Sequence, residues 1–357
     1  MSRAIKFTVA FVITILWGCG ETQKPDYLEF KTSKTLIFKE VGIPNLFRSP
    51  ADLVLNQDLI LVYDFQLEWF FHAFTAKDYS HIGSLIRRGR GPEEEVFIAP
   101  YFKLIGKDTL LYQNHNSVKL GRIEMEAEGV DLSVLNEFNL PTEIQGNLDF
   151  FKLDTLLLSS VSEMPVTKDF QVFCTKTGEL FEEGATSPGS KFRANDEWGS
   201  SLSGKLTSLR PDKKKFASVF YSFPIVRIYD ATNMDLLREL HISSGSSNDK
   251  GDVSDGQQPN PESGSLSYYW RIRTTDEFIF ALFSGATPSE VEIEGFTPSH
   301  SDVASKIHVW DWDGNPVMKL ELERPVFSFD VTPDNEQIIA LSIVDVETLL
   351  VADIPWD

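Results

Sequence analysis

Residues 56–64 read NQDLILVYD. A polar Asn-Gln-Asp turn leads straight into five apolar residues and closes on an acid. The same arrangement returns as GKDTLLYQN at 106–114, KLDTLLLSS at 152–160, RPDKKKFASVF at 210–220, TTDEFIFALF at 274–283 and TPDNEQIIAL at 332–341. The aspartates that mark it are Asp58, Asp108, Asp154, Asp212, Asp276 and Asp334. They recur every 46 to 64 residues, and self-similarity on that scale signals a repeat architecture.

Each marked segment is preceded by another strand-like run, such as ADLVLN at 51–56 or VFSFDVT at 326–332. Most are followed by a hairpin, as in QVFCTKTGELFEEG at 171–184 and VRIYDATNMDLLRELHI at 226–242. These stretches are β-branched and aromatic, bounded by Asp, Gly and Asn, and show no sustained 3.6-residue period. The unit is four strands, present six times. Four-stranded units repeated around an axis make a β-propeller. The expected fold is therefore all-β: a six-bladed β-propeller of four-stranded blades over residues 35–357. The sixth unit runs out after three strands. Its fourth is expected from the N-terminal TLIFKEV at 35–41, which would close the ring and pair an otherwise open edge.

The first twenty residues, MSRAIKFTVAFVITILWGCG, are organised differently. Arg3 and Lys6 precede an apolar run from Phe7 to Trp17. The run is too short to span a bilayer and has the layout of a secretory signal. Leu16, Gly18 and Cys19 follow the pattern of a bacterial lipobox, in which the chain is cut before the cysteine and acylated on it. Residues 1–18 are the expected signal peptide, Cys19 the lipid attachment and 19–34 the tether. Several acyl chains, at ~0.8 kcal/mol per buried CH₂, anchor far more firmly than one. The expected location is the cell envelope, as an outer-membrane-anchored lipoprotein. CGETQKPD at 19–26 lacks the strong acidic run of some surface-exported lipoproteins, which favours the periplasmic face.

The formal net charge is -20, from 33 Lys and Arg against 53 Asp and Glu. Loss of Arg3 and Lys6 with the signal makes the remainder more acidic still. Binding to a nucleic-acid backbone rests on a basic footprint, so nucleic acid is not an expected partner. Two cysteines are present. With Cys19 lipidated, Cys174 has no disulfide partner and is expected as a small buried hydrophobe beside Val172. The six histidines, His72, His81, His115, His241, His300 and His308, show no paired metal spacing. There is no Gly-x-Ser-x-Gly elbow, P-loop or dinucleotide fingerprint. DWDGN at 311–315 has its glycine fourth where a calcium loop needs it sixth, and Leu322 stands where that loop needs Glu. No catalytic, cofactor or metal site is predicted. Residues 243–265 and 284–305 are polar insertions expected to be loops.

Three further stretches carry a family resemblance: IRRGRGPEEEVF at 86–97, SYYWRIR at 267–273 and IHVWDWDGNPV at 307–317. With the six units they resemble the TolB-like six-bladed β-propeller lipoproteins of Gram-negative bacteria, over essentially the mature chain. That family's pattern after blade one is similar to G-R-G-P-G-E-F. Here Gly89, Arg90, Gly91 and Pro92 are followed by Glu93, Glu94, Glu95, Val96 and Phe97, so Glu stands for the third Gly and the loop is longer. The resemblance implies a propeller in the cell envelope. It implies no reaction and no ligand.

The leading functional reading is a lipid-anchored binding or interaction module for a protein, a peptide or a small anionic ligand. A propeller lyase or hydrolase with its site at the channel mouth is one alternative, and a structural envelope protein another. The residues expected at a ligand or clasp site are Arg88, Arg90, Glu93, His115, Tyr221, Tyr269 and Arg271. Arg90 and Arg271 lie where the chain enters the inner strands of blades two and five, which six-fold geometry turns towards one axis. Two guanidiniums there need carboxylates, supplied by Glu93 to Glu95, by neighbouring aspartates or by a ligand.

Overall fold

The computed structural model describes residues 27–43, 46–66, 68–126, 129–162, 166–192, 204–242, 267–286, 305–342 and 348–356. The signal segment with Cys19, the insertion 243–265 and residues 287–304 of the second insertion lie outside the described residues.

An N-terminal segment carries β1 (Tyr27–Leu28), β2 (Ser33–Leu36) and β3 (Lys39–Gly42). Six sheets follow. Blade one comprises β4 (Pro50–Leu55), β5 (Leu59–Asp64), β6 (Trp69–Thr75) and β7 (His81–Arg88), with a short β8 (Glu94–Glu95). Blade two comprises β9 (Lys103–Ile105), β10 (Thr109–Gln113), β11 (Ser117–Glu126) and β12 (Gly129–Asn139). Blade three comprises β13 (Leu148–Leu153), β14 (Leu156–Val161), β15 (Lys168–Cys174) and β16 (Leu180–Thr186). Blade four comprises β17 (Lys205–Leu209), β18 (Lys215–Phe220), β19 (Ile225–Asp230) and β20 (Leu236–Ile242). Blade five comprises β21 (Ser267–Thr274), β22 (Phe278–Ala286), β23 (Lys306–Asp311) and β24 (Pro316–Leu322). Blade six comprises β25 (Val326–Val331), β26 (Gln337–Ser342) and β27 (Thr348–Asp353). The expected propeller is the observed fold.

The uninterrupted apolar runs have a direct explanation. The second strand of a blade buries both faces, because alternate side chains serve two different cores. On β5, Leu59, Leu61 and Tyr63 pack with blade two, while Ile60 and Val62 pack with blade six. On β22, Phe280 and Leu282 face blade six, and Ile279, Ala281 and Phe283 face blade four. Each neighbouring pair of blades encloses one such cluster. Full burial of each such side chain contributes about 1.5–3 kcal/mol, so the ring is held mainly by side chains between blades.

The marker aspartates occupy the turns between first and second strands. The turns of blades one and five close on Asn56 Oδ1 and Thr275 Oγ1, which accept from the Leu59 and Phe278 N–H groups at 2.9 and 3.1 Å. The other four carry a residue in the left-handed region, Gly106, Asp154, Lys213 and Asn335 at φ +65°, +48°, +60° and +63°. Gly, Asn and Asp tolerate that conformation best. Asp334 adds a local bond, its Oδ1 accepting from the Glu336 N–H at 3.1 Å.

Closure differs in detail from expectation. The fourth strand of blade six is β3, antiparallel to β27 with Lys39 opposite Val351 and Gly42 opposite Thr348. Thr35 and Leu36 belong instead to β2, which runs parallel to β24 on the outside of blade five. β1 adds in parallel to β20 of blade four. The segment 35–41 is thus not one strand. Part of the stretch expected as tether, from Tyr27 onward, lies in the ring as a strap over three successive outer edges. Phe30 fixes it by stacking on His308 at 4.5 Å.

Cys174 ends β15 and is only half-buried, not the enclosed hydrophobe expected. A hydrogen bond with Thr177 lowers its thiol pKa.

Candidate functional site

The inner strands β4, β9, β13, β17, β21 and β25 surround the axis. Three of them carry an aspartate inside an otherwise apolar run, Asp52, Asp149 and Asp330, and each collects its neighbours. Asp52 of blade one accepts from Arg273 Nη2 at 2.6 Å and Arg271 Nε at 3.3 Å, both from blade five, and from the Ser328 hydroxyl of blade six. Burial pushes the Asp52 carboxyl up, but Arg273, Arg271 and Ser328 outweigh it and hold it below the usual range. Asp149 of blade three accepts from Lys103 Nζ of blade two at 2.5 Å and from the Thr207 N–H of blade four at 2.9 Å. Lys103 also donates to the Thr207 carbonyl at 2.9 Å.

Where the inner strands end, a cavity of about 310 Å³ opens along the axis. Its rim is built from the marker turns, including Asn56, Gly106, Pro211, Asp276 and Pro333. Five cationic residues line it: Lys103, Lys152, Arg210, Lys213 and Arg273. Asp276 and Asp330 are the carboxylates among the lining residues. The lining is therefore locally basic in a strongly acidic chain. Phe102, Leu104, Phe151, Leu209 and Val331 supply apolar wall. Burial pushes the Asp330 carboxyl up to about 6, against the pull of Arg273 and the Leu55 N–H.

Arg210 stands at this mouth with its guanidinium over the Trp312 ring, 5.6 Å from the centroid. Its buried Nε has no hydrogen-bond partner among the described residues. Arg273 Nε is in the same condition. The Asp330 carboxylate lies 3.7 Å from it, close enough for an ion pair but too far for a hydrogen bond.

The residues singled out from sequence are dispersed. Arg271 and Tyr221 share the opposite end of the axis, where the inner strands begin. Arg271 is 9% exposed and donates to the carbonyls of Trp270 and Ala51 as well as to Asp52. Tyr221 meets Tyr101 hydroxyl to hydroxyl at 3.5 Å, and burial pushes its phenol well up. Tyr269 is elsewhere, fully enclosed between blades four and five against His308 and Phe283. A register shift between Tyr269 and Arg271 separates the two. His115 is exposed on the β10–β11 turn and stacks on Phe97 at 4.9 Å.

The loop 86–97 is organised by its glutamates. Glu94 and Glu95 pair in parallel with Arg87 and Arg88. Glu94 accepts from the Gly91 N–H at 2.8 Å, and Glu95 from Lys119 Nζ at 2.7 Å. A Cβ on Gly89 would overlap the Glu94 carboxylate, which would have to swing aside. Arg88 lies over the Phe70 ring at 4.1 Å and donates to the Phe65 carbonyl. Arg90 and Glu93 are exposed, and Arg90 has no hydrogen-bond or ion-pair partner among the described residues.

A second charged network went unnoticed in the sequence. Lys205 is 1% exposed and donates to the carbonyls of Ser160 and Asp169. Burial lowers its ammonium pKa to about 8, against the opposing field of Asp169. Arg227 bridges Asp169 at 2.5 Å and Glu239 at 2.5 Å, and Tyr229 donates to Asp169. Among the described residues no group of His, Cys, Asp and Glu is placed to hold a metal ion.

The ring of six blades, closed by a strand from the opposite end of the chain, defines a β-propeller with an axial site. The chain belongs to the TolB-like 6-blade propeller-like family, whose profile matches residues 26–334. No curated protein shows a significant match. A crystal structure of a DUF4221 family member from Bacteroides vulgatus is 11% identical, covers 92% of this chain and 98% of its own, and superposes with a TM-score of 0.56. A candidate exported protein from Bacteroides fragilis is 11% identical, covers 90% and 98%, and gives 0.55. These likenesses concern the fold.

Proposed function

We propose that the protein is a lipid-anchored binding module of the cell envelope, tethered through Cys19 and taking its ligand at the axial cavity. The observation that carries this reading is the basic, partly apolar cavity rimmed by the repeated turns. Functional groups collect on loops held by a rigid scaffold, and a concave site with apolar walls and a few convergent polar groups is the usual form of a ligand site. The anchor rests on the signal layout and the Leu16–Gly18–Cys19 pattern.

Two measurements test it. Cys19→Ser should move the protein from the membrane to the soluble fraction and abolish acyl labelling. Labelling that survives the substitution removes the anchor. Native mass spectrometry of protein taken from its own envelope should show a bound species that an Arg210→Ala variant lacks. If the protein carries nothing and binds no member of a panel of peptides, glycans and organic anions, the binding-module reading fails.

A further inference from the structure

We infer that the axial cavity receives a small organic carboxylate, its charged group held by Arg210 and Arg273 and its apolar body by the cavity wall. The inference rests on the binding-module reading and names the ligand chemistry of that site.

Arg210 directly follows the inner strand of blade four and Arg273 lies in the inner strand of blade five. The two strands are tied together by the Ser208–Thr274 hydroxyl pair at 2.8 Å and by Thr274 donating to the Leu209 carbonyl at 2.9 Å. Arg210 is pre-positioned over Trp312, whose indole N–H is itself fixed on the Thr275 carbonyl at 3.0 Å. Both Nε groups are buried donors without a hydrogen-bond acceptor. The Asp212 carboxylate stands 3.6 Å from Arg210 Nε, and Asp330 stands 3.7 Å from Arg273 Nε. Buried donors are nearly always satisfied in native proteins, so two unmet donors on one cavity point to an acceptor supplied from outside. A planar carboxylate matches the guanidinium fork.

The remaining wall selects what the carboxylate is attached to. Phe102, Phe151, Leu209 and Val331 favour an apolar body over a bare inorganic anion. A volume of about 310 Å³ is at the small end for ligand sites, roughly 300–1,000 Å³. It suits one compact acid or one chain terminus, and not a polymer segment. Asp330 is the opposing group. It is faced by Arg273 of β21 and by Asp52 of β4. Its negative charge repels an entering carboxylate, so removing that charge should tighten binding.

The test is calorimetric titration of the detergent-solubilised full-length protein with hexanedioate, benzoate, their amides and inorganic phosphate. A short peptide with a free C-terminal carboxylate, and its amidated form, complete the set. The acids should bind and the amides should not. Binding of the peptide acid alone would assign the carboxylate to a polypeptide terminus; binding of the free acids would assign it to a metabolite. Arg210→Ala should weaken binding by about ten- to a hundredfold, the loss of a charge-assisted hydrogen bond, with the ligand-free melting temperature unchanged. Arg210→Lys keeps the charge without the fork and should recover only part of the loss. Asp330→Asn should tighten binding. Equal binding of acids and amides, a preference for phosphate, or indifference to Arg210→Ala would overturn the inference. A neutral species bound in place of any carboxylate would also overturn it, while leaving the binding-module reading intact.

Discussion

Asp52 and Asp149 hold equivalent places, each near the start of an inner strand, yet they organise different halves of the ring. Asp52 draws together blades five, six and one with two guanidiniums and a hydroxyl. Asp149 draws together blades two, three and four with one ammonium and one backbone N–H. Near the axis, the seams between the halves are crossed by neutral bonds. Asn56 donates to the Lys107 carbonyl at 2.7 Å on one side, and Ser208 meets Thr274 on the other. The difference teaches where the ring is vulnerable. Arg271 and Arg273 are almost enclosed, whereas the Lys103 side chain keeps 22% of its exposure and can turn to water. A carboxylate is hardest to lose where its partners cannot be resolvated.

The largest effect should follow Asp52→Ala, which strands two buried guanidiniums. We expect a loss of ~3–5 kcal/mol, the range for breaking a buried ion pair, read by denaturant unfolding. A loss below about 1 kcal/mol, within the range of exposed pairs, would break the comparison. Asp149→Ala should cost less, about 1–3 kcal/mol, chiefly through the unsatisfied Thr207 N–H. If the halves are independent, the double variant should be additive within about 0.5 kcal/mol. Coupling well beyond that would show one network and not two.

Acidity sharpens the same contrast. The folded pKa of Asp330 is raised to about 6 from an ordinary 3.8, so folding takes up a proton. Its contribution to stability is full below 3.8 and is lost as pH rises through 6. Asp52 is lowered and acts oppositely, losing its contribution as pH falls below the ordinary range. Stability should therefore rise by at most ~2 kcal/mol between pH 7 and pH 5. Asp330→Asn should flatten that rise, and an unchanged slope in the variant would assign it to another group. The smallest effect is expected at Arg90→Ala. The side chain is exposed and unpaired among the described residues, so the melting temperature should not move. A marked drop would mean that Arg90 is clasped after all.

The blades were readable because burial on both faces leaves a compositional trace. Runs such as LILVYD and FIFALF cannot belong to a half-exposed strand, and the aspartate before each marks the turn between the first and second strands of a blade. The axial site was far less readable. Tyr269 and Arg271 are two residues apart, a spacing that puts side chains on one face of a regular strand. The irregularity between them sends one into the interblade core and the other to the axis. Arg210 sits beside Pro211 in a turn and looked like ordinary punctuation. One signal was available and missed: an aspartate inside an apolar inner strand, in ADLVL, in LDFF and again in FSFDV.

The sequence by itself determined the repeat, the blade count, the N-terminal contribution to closure and the absence of a recognisable catalytic motif. Each of these is a local property, set by side-chain period, turn chemistry and what neighbours in the chain can do. Only the tertiary structure decided which charges meet. Asp52 and Arg273 are joined across 221 residues of chain, and Lys103 finds Asp149 and Thr207 across three blades. Ring closure brings six distant strands to one axis, and there distance in space and low solvent access, not distance in sequence, select the partners of each charge.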